Sequence, residues 1–69
     1  MDSEIIFVVE EDPEGGYTAH ALGFMIVTEA DDWNELRENV RDAVQVHFDD
    51  GERPKTILLH YVRDEIILA

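Results

Sequence analysis

The fold turns on residues 5–17, Ile5-Ile6-Phe7-Val8-Val9-Glu10-Glu11-Asp12-Pro13-Glu14-Gly15-Gly16-Tyr17. The first five are β-branched or aromatic and are apolar at odd and even positions alike. Successive strand side chains face opposite sides, so this run predicts a central strand with two apolar faces. The acidic stretch after Val9 breaks it. Pro13 fixes its own φ and biases Asp12 toward an extended shape. Gly15 and Gly16 can take the positive φ that a tight reversal needs. Tyr17 to Leu22 reads as the returning strand, with Tyr17, Ala19 and Ala21 on one face and Thr18, His20 and Leu22 on the other. The two alanines leave room for a helix to pack closely.

Working outward, Gly23 marks a turn and Phe24 to Thr28 reads as a third strand. Asp31 or Asp32 starts a helix, and Asp32 with Glu35 has capping-box spacing. Trp33, Leu36, Val40, Ala43, Val44, His47 and Phe48 form one stripe at helical period. Asp49-Asp50-Gly51 ends the helix, although two aspartates there oppose its dipole. Pro54 blocks any continuation. Thr56 to Val62 is a fourth strand, and Ile66-Ile67-Leu68 is a short apolar tail that packs on its own sheet or adds to another chain. The fold class is α+β, in the order β-β-β-α-β, as a four-stranded sheet with one helix on one face. The last strand can run parallel to the first after a right-handed crossover. The other face has no second layer, which points to association.

With 69 residues the chain is one domain, residues 1–69, with no room for a separate catalytic or DNA-reading module. Seventeen acidic against five basic side chains give a net charge of -12. That argues against direct binding to nucleic acid or to an anionic membrane surface. A compact chain of 7.9 kDa exposes roughly 4,400 Å². At this size burial and chain ordering nearly cancel, so a dimer interface or a protein partner is the expected source of further stability. A homo-oligomer is therefore expected. There is no cysteine, which excludes disulfides and thiolate metal sites. Met1-Asp2-Ser3-Glu4 is acidic where a signal peptide is basic, and no apolar run approaches the length of a membrane span. The cytoplasm is the expected compartment.

Catalytic chemistry is hard to build from these residues. A two-metal nuclease needs several carboxylates converging on one site. Ile5 to Val9 contains no acid, Glu10 only ends that strand, Asp42 is on the solvent side of the helix, and Asp64 lies past the fourth strand. His20, His47 and His60 lack the spacing of a helical metal motif, although His20 and His60 could meet across the sheet. Gly15-Gly16 is no phosphate loop, because four acids surround it and no lysine follows. No catalytic residue, cofactor or metal site is expected.

Residues Ile6 to Ala19, with the segment Glu11-Asp12-Pro13-Glu14-Gly15-Gly16-Tyr17 at their centre, resemble the opening of the HicB-like antitoxin family, as does Thr28 to Val44. The resemblance covers roughly residues 5–62. It implies a partial ribonuclease-H-like fold and a type II toxin–antitoxin role, masking a small basic HicA-like toxin that cleaves mRNA. Many members add a C-terminal DNA-binding domain. None follows the fourth strand here, so the resemblance is to a short stand-alone member. The alternative is a self-associating stand-alone domain with no toxin. An acidic chain suits a basic partner, since opposite potentials speed encounter. Glu11, Asp12 and Glu14 are the candidate steering groups, and Trp33 is the candidate anchor. The plainer alternatives are a solvated acidic turn and a tryptophan that pins the helix to the sheet.

Overall fold

The computed structural model describes residues 3–69; Met1 and Asp2, part of the acidic start noted above, lie outside the described residues. The elements are β1 (Glu4–Glu11), β2 (Tyr17–Ala21), β3 (Val27–Ala30), α1 (Trp33–His47) and β4 (Thr56–Val62). They form one four-stranded sheet in the order β3-β2-β1-β4. β1 pairs antiparallel with β2 and parallel with β4, so the first strand is central. This is the α+β, β-β-β-α-β arrangement that the hydrophobic pattern predicts.

Alternation along β1 decides what the helix covers. Ile5, Phe7 and Val9 are buried, with Ala19 and Ala21 of β2 beside them. Leu36, Val40 and Val44 of α1 pack onto this patch. They recur at about one helical turn, so a single stripe closes the core. Trp33, Ala43 and Phe48 flank the stripe and are half-buried, whereas His47, expected on the same stripe, is exposed. The helix begins where its sequence predicts: the Asp32 carboxylate accepts the Glu35 amide at 2.8 Å. It ends before the two aspartates. The Phe48 amide donates to the Val44 carbonyl, and the Arg53 guanidinium donates to the carbonyls of Gln45 and Phe48 at 3.1 and 3.5 Å. A cation on the last carbonyls complements the helix dipole, and Arg53 also pairs with Asp50 at 3.1 Å.

The third strand differs from the pattern-based expectation. It runs over Val27–Ala30 instead of Phe24–Thr28. Ala21 donates to the Ile26 carbonyl at 3.0 Å, and Gly23 takes φ +83° inside the turn so closed. Phe24 is thereby released from the sheet. Its ring meets Phe48 and His47 edge-on, at centroid distances of 5.1 and 5.9 Å, beside the helix C-terminus. Aromatic contact at the helix end takes the place of strand pairing for that residue.

The β1–β2 reversal is held by its glycines. Asp12 donates its amide to Gly16, accepts the amide of Gly15, and takes the Glu14 amide on its side chain at 2.9 Å. Gly15 and Gly16 have φ of +106° and +82°. A β-carbon on Gly16 would sit 2.5 Å from the Ala30 carbonyl oxygen, whereas one on Gly15 meets nothing within 4 Å.

The total accessible surface is 5544 Å². A compact chain of this mass exposes roughly 4,400 Å², so the excess is about 1,100 Å². The radius of gyration is 13.6 Å, against about 11 Å for a compact domain of this length. The longest dimension is 52 Å. The segment past β4 is exposed throughout, as are Leu22, Leu58 and Val62 on the sheet face opposite the helix. Among the described residues no helix is long and apolar enough to cross a membrane.

The Gly16 geometry yields a direct test. Gly16→Ala should lower the unfolding free energy by at least about 2 kcal/mol, from backbone strain plus the clash with Ala30. Gly15→Ala should cost only the strain, about 1 kcal/mol. Urea titration of both variants checks the order, and equal losses would mean that the close approach to Ala30 is unimportant.

Candidate functional site

Two surfaces stand out once the strands are in register. The first is the pole of the sheet at the β1–β2 turn. Glu11 pairs with Tyr17, and Val9 pairs with Tyr61 across the parallel ladder. This register puts Tyr17 and Tyr61 on the helix side of the sheet, beneath the start of α1. Trp33 lies between them. The Trp33 ring is 5.4 Å from both tyrosine rings, and the two tyrosines are 6.0 Å apart. The two pairs with Tyr17 are edge-on and the Trp33–Tyr61 pair is tilted, and such aromatic contacts strengthen packing beyond area alone. The half-buried Trp33 thus ties the helix start to β2 and β4, with its remaining edge at the rim.

Glu11 belongs to this aromatic cluster more than to the turn. Its carboxylate accepts a short hydrogen bond from the Tyr61 hydroxyl. That bond and the nearby negative charge hold the Tyr61 phenol above its usual range, while Arg63 acts weakly the other way. Asp12 is committed to the turn through its side-chain bond to Glu14. Glu14 itself is exposed at the turn tip. Asp12 and Glu14 line one side of an open hollow of about 380 Å³, closed on the other side by Glu29, Asp31 and Glu35. The four residues singled out from sequence therefore occupy one pole but divide in role: Glu11 and Trp33 sit with the tyrosines, Asp12 and Glu14 with the hollow. Sequence reasoning missed Tyr61 and Glu29 as members. Tyr61 follows Glu11 by 50 residues, and only the parallel register brings them together.

The second surface is the sheet face away from the helix. The register sets Ile6 beside Leu58, and Val8 between His20 and His60. Val27 continues the Val8 row through His20, and Val62 pairs with Glu10. Ile6 and Val8 are half-buried by their neighbours alone, and Leu22, Leu58 and Val62 are exposed. Glu4, Glu10 and Glu29 edge this apolar strip. His20 and His60 do not meet: both pair with Val8, so β1 separates them by two strand spacings, about 10 Å. Glu10 lies on this open face, while Asp42 is exposed on the helix that covers the opposite face. Of the carboxylates weighed for metal chemistry, Glu10 and Asp42 are thus on opposite sides of the sheet. Among the described residues no group of three or more potential ligands is placed to hold a metal ion.

Comparison with known proteins gives close relatives. A UPF0150 protein of Archaeoglobus fulgidus is 57% identical over 51 residues, covering 74% of this chain and 76% of the relative. A UPF0150 protein of Thermotoga maritima is 41% identical over 64 residues, covering 93% and 90%. The chain belongs to the UPF0150 family. No family model matches it, and no solved structure does. This membership corrects the sequence-based assignment to the HicB-like antitoxins and, with it, the toxin–antitoxin label. The physical reason lies in the residues that carried the resemblance. Glu-Asp-Pro-Glu-Gly-Gly-Tyr is what this hairpin requires: an Asx-type turn at Asp12, two positive-φ glycines, and a ring under the helix start. Such a segment reports a fold and carries no information about a toxin.

The Glu11–Tyr61 bond gives a pH test. A phenol whose pKa is raised on folding adds stability that is present below its unfolded pKa near 10 and lost as pH rises through the folded value. Absorbance titration at high pH should show one tyrosine ionising later than a free phenol, and Tyr61→Phe should remove that late phase. A late phase that survives in Tyr61→Phe would mean that the Glu11–Tyr61 bond is not its cause.

Proposed function

We propose that this chain acts by self-association, as a binding domain without catalytic activity, and that the open sheet face is the contact between copies. The observation that carries this reading is the apolar strip of Ile6, Val8, Leu22, Leu58 and Val62 with no second layer over it. Sheets with one helix layer bury one face, and an apolar second face is stable only when covered. The surface excess of about 1,100 Å² supports the same reading, because a standard interface takes about 800 Å² from each partner. Two copies related by a two-fold axis would set the strip against itself, leaving Glu4, Glu10 and Glu29 at the rim.

In this reading the acidic pole with Glu11, Asp12, Glu14 and Trp33 lies on the helix side and remains outside the contact. It suits a basic protein partner, which its charge would attract over distance. The cytoplasm is the compartment the proposal takes.

Sedimentation equilibrium tests the contact. Leu58→Glu puts a charge in the middle of the strip and should raise the self-dissociation constant at least tenfold, about 1.4 kcal/mol. Raising salt from about 0.05 M to about 0.5 M should tighten wild-type association, because chains of charge -12 repel and salt screens them. A wild-type chain that stays monomeric, or a Leu58→Glu variant that associates normally, would overturn the proposal.

A further inference from the structure

The few cations of this chain are not scattered. Four of its five lysine and arginine side chains line one groove, on the flank of α1 that faces β4. The groove has two sections, of about 350 and about 150 Å³, which share Arg41 and Ile57. Arg37 and Leu59 stand in one section, Arg53 and Lys55 in the other. The helix thus runs backward along the strand, and Arg37 and Arg41, four residues apart, project from the same flank. No carboxylate lines either section. Asp42 lines the other flank of the helix, beside β3. Arg53 is taken up by Asp50 and by the last helix carbonyls. Arg37 and Arg41 are exposed and make no ion pair among the described residues, not even with Glu38, which lies between them in sequence. In a chain of net charge -12, this is where a foreign carboxylate is least repelled.

We infer that this groove takes an acidic, extended segment of another protein, added as a strand to the free edge of β4. β4 is an outer strand that pairs only with β1. Its other edge offers backbone groups to an incoming segment. A strand added there sends alternate side chains to the helix side of the sheet. Those side chains recur about every 6.6 Å, and Arg37 and Arg41 are separated by about 6 Å along α1. Acids at every second position therefore match both guanidiniums, each of which suits a carboxylate. The half-buried Ile57 and Leu59 form an apolar floor beneath them.

Other occupants match less well. The outer strands of a second copy do not supply the pattern: β4 has no acid and β3 has only Glu29. Nucleic acid finds no aromatic ring in the groove on which to stack a base, and the charge of the whole chain repels phosphates. The groove lies on the helix side of the sheet. The face contact proposed above leaves it free, so either reading can fail alone.

Fluorescence anisotropy tests the inference. The probe is a labelled peptide of strand length, about eight residues, alternating glutamate and valine. The expected result is saturable binding to the full chain that weakens at least about tenfold when Arg37→Glu and Arg41→Glu are combined. The same peptide with lysine in place of glutamate should not bind. Amide NMR shifts on titrating the wild-type chain should concentrate at residues 57–61 and at Arg37 and Arg41, a readout that needs no variant. Absence of binding, equal binding by the double variant or by the lysine peptide, or shifts centred elsewhere would overturn the inference. A mixed-sequence single-stranded RNA that binds the wild-type chain more tightly than the peptide, and is lost in the double variant, would overturn it too, by assigning the groove to phosphate.

Discussion

β1 has two apolar faces and the chain has one helix. Most of the architecture follows from that mismatch. Ile5, Phe7 and Val9 take the helix, and the small side chains of Ala19 and Ala21 let it approach. Ile6 and Val8 are left with only their strand neighbours Leu58, His20 and His60. A helix stripe of Leu36, Val40 and Val44 is too narrow to serve the outer strand as well. Ile57 and Leu59 of β4 are only partly buried, and the rest of that strand is exposed. The fold is thus closed on the helix side from β1 to β3, where Ile26 and Ala30 are also buried, and open along β4 and over the other face.

Charge shapes how such a chain can be completed. At -12, two copies repel until they are close, and short-range apolar contact must outweigh that repulsion. The carboxylates are not spread evenly. Asp12, Glu14, Glu29, Asp31 and Glu35 gather around the hollow at one pole, and Glu29 also edges the apolar strip.

Much of the fold was legible in the sequence because local chemistry and tertiary need agree there. The uninterrupted apolar run at Ile5–Val9, the glycines of the first turn and the Asp32 cap each have one good structural use. The third strand was legible in kind but not in position. Phe24 and Met25 look like strand residues, yet Gly23 starts a turn that releases Phe24 to Phe48 and His47. Nothing local signals that long-range aromatic contact. The acidic pole was visible as a cluster of acids, but its pairing was not. Tyr61 meets Glu11 only through the parallel register of β1 with β4. The family assignment failed for a related reason: the residues behind it, from Glu11 to Tyr17, are those the hairpin geometry demands, and geometry is shared more widely than function.

The central claim is that a second copy completes this fold. Its most direct test is the thermal midpoint of the wild-type chain over a hundredfold range of chain concentration. Association that favours the folded state raises the midpoint as concentration rises, and this account expects a steady increase. A midpoint independent of concentration, in a chain that sediments as a monomer throughout, would contradict it and would mean that one helix and one buried sheet face suffice.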